Sequence, residues 1–260
     1  MKSQVLLTFD LEEFDLPLEF DCPITEEEQI STTNEGLTNV LQLLERHDIP
    51  ATFFTTSFYA NKSRELILNI PSRHEIASHS KYHSAFSESD PKESKTELEN
   101  ITGKVINGFR MPMYRKIDKR LLWNAGYIYD SSLNPTFIPG RYNKLTAPRK
   151  IHFDKSYSLI EIPVSVSPAI RFPLFWLSFK NLPYPFYKYM CRRVIRKDSY
   201  LHLYFHPWEF AGLDRFRIPG YIKKISGISL TERLERLIID LQPDCEFSTI
   251  SGYLKKSGMI

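Results

Sequence analysis

The sequence predicts an α/β protein whose strands form a parallel βα barrel with helices outside. Short apolar runs alternate with stretches of helical period. A strand, a helix and a second strand succeed one another within about fifty residues, the rhythm of a parallel sheet. Reactive polar residues then recur just past successive strands, where such a barrel gathers its site. The 260 residues, 42% hydrophobic, can bury one substantial core, so a single domain over 1–260 is expected.

Residues 5–9 are apolar enough for a buried first strand, which ends in Asp10-Leu11-Glu12-Glu13-Phe14. Alternate residues of extended chain share a face, so Asp10 and Glu12 point to one side, Leu11 and Glu13 to the other. The plain alternative is a solvated acidic strand end. Residues 15–30 are acidic without periodicity and read as a loop over the barrel mouth. Thr32, Thr33 or Asn34 can cap a helix that buries Leu37, Val40, Leu41 and Leu44, with Arg46-His47 at its negative pole. Residues 51–55 read as a second strand, 65–70 as a short helix and 75–78 as a third strand delivering His79. Asp90-Pro91 opens a helix running to about residue 106. Gly108-Phe109 leads to Arg110. Asp118 caps a helix closed by Gly126, and Tyr127-Ile128-Tyr129 leads to Asp130. An elaborated, aromatic and proline-rich connection fills about 134–200. Residues 201–205 form a strand ending at His206-Pro207-Trp208-Glu209. Residues 231–241 form an amphipathic helix buried through Leu234, Leu237, Ile238 and Leu241, and 245–250 the last strand.

The 34 basic and 31 acidic residues leave a net charge of +3, which gives nucleic-acid binding no support. Cys22, Cys191 and Cys245 are odd in number and far apart, against a disulfide framework and against a thiolate zinc site. A reducing compartment is the default. Residues 4–9 are too short for a signal core and run into acids, and no apolar run is long enough to span a bilayer. The expected location is cytoplasmic, with the inner face of the membrane as its variant.

His79-Ser80-Lys81-Tyr82-His83 is the chemical centre. If the backbone turns helical at Ser80, the two imidazoles share a face and can grip one divalent cation. A zincin would carry Glu after the first histidine, and Ser80 stands there instead. Alone, such a pair arises by chance on a surface. However, Asp10, His79, Arg110, Asp130 and His206 all follow predicted strand ends, so one barrel face collects them. A set of unrelated solvated loops would explain one or two of them.

Together these residues resemble the polysaccharide deacetylases of the NodB-homology type, carbohydrate esterase family 4. The resemblance rests on Thr8-Phe9-Asp10, His79-Ser80-Lys81-Tyr82-His83, Arg110-Met111-Pro112-Met113-Tyr114, Asp130 after Tyr129, and His206-Pro207. It implies a distorted (β/α)7 barrel with Asp10 as general base, Arg110 orienting it, His206 as acid and Asp130 as the partner of His206. It further implies His79 and His83 as metal ligands and a backbone N–H near Met113 or Tyr114 in an oxyanion hole. Many members carry a second, metal-binding aspartate where Leu11 stands, so Glu12 becomes the third ligand, with Glu13 in reserve. The cofactor implied is one divalent metal ion, Zn²⁺ first.

The implied reaction is removal of an N-acetyl, or O-acetyl, group from an amino sugar in a glycan or lipid-linked precursor. Hydrolysis of another C–N bond, in a formamide or cyclic ureide, and a non-catalytic carbohydrate-binding role are the alternatives. Residues 170–197, aromatic then basic, read either as a lid packed on the barrel or as a peripheral membrane contact.

Overall fold

The computed structural model describes residues 2–138 and 142–260. In chain order it contains β1 (Ser3–Leu11), α1 (Glu26–Arg46), β2 (Thr52–Thr55), α2 (Ser57–Lys62), α3 (Arg64–Leu68), β3 (Glu75–Ser78), α4 (Asp90–Thr102), β4 (Gly108–Phe109), α5 (Lys119–Asn124) and β5 (Tyr129–Asp130). There follow β6 (Phe137–Ile138), β7 (Tyr142–Asn143), β8 (His152–Asp154), β9 (Leu159–Glu161), α6 (Trp176–Asn181), α7 (Tyr184–Asp198), β10 (Tyr200–Phe205), α8 (Gly220–Lys223), α9 (Gly227–Leu241), β11 (Cys245–Ser248) and α10 (Ile250–Lys256). Residues 139–141 of the predicted connection lie outside the described residues, as does Met1.

β1 is buried at every position after Ser3, which its apolar, β-branched composition permits. Seven strands pair in parallel in the order β10-β1-β2-β3-β4-β5-β9, and antiparallel β8 extends the β9 edge. β11 pairs with the first half of β1. Among the described residues no ladder joins β9 to β10. Instead Ser165 crosses the seam, its N–H donating to the His202 carbonyl at 3.0 Å and its Oγ accepting from the His202 N–H at 2.9 Å. The result is a distorted (β/α)7 barrel. Phe9 and Phe53 stack at 5.3 Å, beside Phe205 and Phe210. α1 and α9 close over the barrel's outer side with Leu37, Val40, Leu44, Leu234 and Leu237 in the same core.

Three local expectations are corrected. First, α1 begins at Glu26, not near Thr32: Thr25 and Glu28 form a reciprocal capping box, the Glu28 N–H donating to Thr25 Oγ1 at 3.2 Å and the Thr25 N–H to Glu28 Oε2 at 3.0 Å. The acids of the supposed loop 15–30 are thus partly first-turn residues facing the helix's positive pole. Second, the backbone does not turn helical at Ser80. Ser80 takes a left-handed φ of +66°, and His83 arrives on a loop. Third, α4 stops at Thr102 because Gly103, with φ +66°, ends it in a left-handed cap.

Candidate active site

The strand alternation read from the sequence is realised in β1. Asp10 and the following Glu12 line a cavity of about 360 Å³ with His79, His83, His206 and Trp176. Leu11 enters the core. Glu13 turns away, accepting the Thr56 hydroxyl at 2.8 Å and the His83 N–H at 2.8 Å. Glu12 is therefore the carboxylate that meets the histidines, and Glu13 braces the loop that carries one of them.

His79 Nδ1 lies 2.8 Å from the Arg110 carbonyl, which only accepts, so Nδ1 carries the proton. His83 Nδ1 lies 2.7 Å from Asp15 Oδ1 and donates likewise. Both rings thereby present Nε2 to Glu12 Oε2, at 3.1 and 3.5 Å. That oxygen is buried and has no hydrogen-bond partner. Lone pairs converging on an orphaned carboxylate oxygen call for positive charge between them. Ligand atoms each about 2.0–2.2 Å from a tetrahedral zinc stand about 3.3–3.6 Å apart, so the two imidazole–carboxylate separations suit a divalent cation. A carbonyl and a carboxylate behind the two rings are also the supports that metal-bound histidines use. Among the described residues no three such side chains already stand as an assembled metal centre. Where no cation binds, a proton on His83 Nε2 supplies that charge. Burial disfavours a charged His83, yet Glu12, Asp15 and Glu13 push its pKa up to about 10. Burial would raise Glu12, yet His83, His206 and His79 hold it down at about 2.

Arg110, just past β4, is fully buried. Its guanidinium holds Asp10 Oδ1 and Thr8 Oγ1 through one nitrogen, and Ser131 Oγ and His202 Nε2, at 3.0 and 2.9 Å, through another. It also stacks 3.9 Å from the Phe54 ring centroid. Burial and the adjacent Arg110 cation push the His202 pKa well below its ordinary value, so His202 is neutral, its Nδ1 donating to the Pro163 carbonyl at 3.1 Å. With Oδ1 held, Asp10 turns Oδ2 toward His206 Nε2, 4.0 Å away, and Glu12 Oε1 lies 3.9 Å from the same nitrogen.

Asp130 is not brought to His206. Its Oδ1 accepts the Ser132 N–H at 2.9 Å and the Ser132 hydroxyl. Its neighbour is Glu161 on the next strand. His206 finds a nearer acid: Glu209 Oε1 accepts both the His206 N–H at 2.8 Å and Nδ1–H at 3.0 Å. The cause is the tight turn at Pro207–Phe210, which folds residue 209 back under residue 206. Trp208 stacks on the imidazole at 4.9 Å and Trp176 meets it edge-on at 5.3 Å. Met113 and Tyr114 both hold left-handed φ, +55° and +52°, and both line the cavity. The Tyr114 N–H is spent on the Met111 carbonyl at 3.1 Å, which leaves Met113 N–H as the candidate oxyanion donor.

Residues 2–127 match the polysaccharide deacetylase family model. Over this stretch the chain is similar to the polysaccharide deacetylase family. Residues 131–255 match a second model, described as a domain of unknown function. No curated protein matches the chain. Among solved structures, one from Mycobacterium smegmatis described as a polysaccharide deacetylase aligns with a TM-score of 0.67 at 20% identity, covering 98% of this chain and 90% of that one. Puue allantoinase aligns equally well, at 0.67 and 13% identity, over 95% and 87%. A pseudoenzyme of carbohydrate esterase family 4 from Bacillus anthracis aligns at 0.53 and 15% identity, over 96% and 64%. At these identities the likeness concerns the fold, the NodB-type barrel.

Within this barrel, sequence reasoning missed Asp15, His202 and Glu209. Glu209 was legible in principle: a carboxylate three residues after a histidine and two after a proline suits a reciprocal turn. Asp15 and His202 carried no such local signal. Each acts only because distant segments fold beside it.

Proposed function

We propose that the protein is a metal-dependent deacetylase that removes an N-acetyl group from an amino sugar. The observation that supports this most is the pair of imidazoles whose Nδ1 atoms are committed, leaving both Nε2 atoms around the orphaned Glu12 Oε2 beside Asp10. His79, His83 and Glu12 would hold the divalent cation. Zn²⁺ bound there supplies Lewis-acid polarisation of an acyl carbonyl and a more acidic water. Asp10, fixed through Oδ1 by Arg110, accepts the attacking water's proton on Oδ2. Met113 N–H donates to the developing oxyanion. His206, supported at Nδ1 by Glu209, delivers a proton from Nε2 to the departing nitrogen. Trp176 and Tyr204 line the cavity and limit water around it.

Zinc-loaded protein should release acetate from N-acetylated amino-sugar oligomers. Asp10→Asn and His206→Gln should each lower kcat by about 10²–10⁴-fold with the far-UV CD spectrum unchanged. His79→Ala should lose stoichiometric metal. Near wild-type turnover by the Asp10 variant would sink the assignment. Faster turnover of a cyclic ureide or a formamide would favour the reading that the allantoinase-like fold allows, and bound metal without turnover would favour a binding protein.

The substrate class includes lipid-linked sugars, because α7 gives the protein a surface suited to an anionic bilayer. Phe186 and Tyr189 are half exposed beside Arg192, Arg193, Arg196 and Lys197, whereas Trp176 and Leu177 face the cavity instead. Aromatic rings at headgroup depth with cations behind them are the composition of an interfacial helix. No helix among the described residues is long and apolar enough to cross a membrane. Sedimentation with phosphatidylglycerol vesicles should exceed that with phosphatidylcholine vesicles, and Arg193→Glu with Arg196→Glu should abolish the difference. Equal sedimentation by that double variant and the wild type would refute the contact.

A further inference from the structure

Lys180 is a buried cation that the proposed chemistry does not use. It lies on α6, 2% exposed, and its Nζ stands 2.9 Å from Glu209 Oε2, on a carboxylate that is itself fully buried. A second contact, donation to the Ile222 carbonyl at 2.9 Å, anchors the ammonium to α8. The Trp176 and Trp208 rings flank Nζ at 5.3 and 5.8 Å. The same two rings pack on His206. The Glu209 carboxylate is thus divided: Oε1 serves the backbone and Nδ1 of His206, and Oε2 serves Lys180.

Putting a lysine and a glutamate out of water is costly, and a shape-matched apolar pair is often as stable. Stability alone therefore gives little reason for an ion pair at this position. Its geometry does. Without a counter-ion on Oε2, the carboxylate is held through Oε1 alone and can pivot away from Nδ1. Resting on the reading of His206 as the proton donor, we propose that Lys180 is a positioning residue, which fixes Glu209 so that His206 keeps its Nδ1–H bond and aims Nε2 into the cavity.

The test uses the full chain with uniform ¹⁵N label. His206 should show an Nδ1-bound proton protected from exchange with water, assigned by its loss in His206→Gln. In Lys180→Met that protection should vanish, kcat should fall about tenfold or more and KM should move less than about twofold. A folded Lys180→Met protein that keeps both the protected proton and wild-type kcat would overturn the proposal. Should Lys180→Met fail to fold, the neutral pair Lys180→Met with Glu209→Gln is compared with Glu209→Gln alone. Equal kcat supports action through Glu209, and a further fall of more than about threefold overturns it. If the wild-type protein proves inactive on acylated sugars, the functional reading falls by itself, and the protected proton still decides the part played by Lys180.

Discussion

Asp130 shows what a strand-end carboxylate does when the fold denies it a basic partner. Burial, with the Glu161 carboxylate beside it, pushes its pKa up to about 7. The folded state therefore holds a proton that the unfolded chain releases near an ordinary value of about 4. Between those values the native state binds more protons, so stability contributed below about pH 4 is lost as pH rises toward 7. Asp130→Asn keeps an acceptor for Ser132 and removes the titration. Its melting temperature should match wild type below about pH 4 and exceed it near pH 8; a constant offset at both would rule out titration of Asp130 as the cause. The identity of Asp130 was legible in the sequence as a polar residue at a strand end. Its partner was not, because the choice between Asp130 and Glu209 depends on a four-residue turn whose direction no periodicity encodes.

At the scale of elements, the sequence conveyed existence better than extent. β3 and β10 lie within a residue of expectation, since short apolar runs have few ways to pack. α1 was misplaced at its start because its first turn is acidic, and acids serve loops and helix N-termini alike. α1 also holds the segment that carries His206. Gly36 sits against the turn at Pro207–Phe210, and a Cβ there would stand 1.8 Å from the Pro207 carbonyl oxygen. Gly36→Ala must push that turn away and shift His206 and Glu209 with it. Such overpacking costs about 1–3 kcal/mol. Urea denaturation should show the loss, and turnover at low denaturant should fall with it. Full activity in a destabilised variant would show that α1 does not fix the turn.

At the scale of the molecule, the two family models meet between residues 127 and 131, yet one sheet draws from both halves. β1 comes from the first half and pairs with β10 and β11 from the second. The site follows the same division, with Asp10, Glu12, His79 and His83 on one side and Trp176, His206 and Glu209 on the other. The βα rhythm made the barrel legible. The seam did not show in advance, because Ser165 bonds His202 across 37 residues through an irregular stretch with no strand pattern.

The contacts of Arg110 carry a consequence for how such a barrel can change over generations. Its guanidinium touches Thr8 and Asp10 of β1, Phe54 of β2, Ser131 beyond β5 and His202 of β10. Losing it would strand a buried carboxylate and unlace several staves at once, a change worth about 3–5 kcal/mol for the broken pair alone. His206, bound within its own turn to Glu209, has no such reach across the barrel. A lineage drifting from catalysis toward simple sugar recognition would shed that histidine first and keep its arginine, so a surviving arginine in a descendant is a record of architecture and says nothing about whether the descendant still turns over substrate.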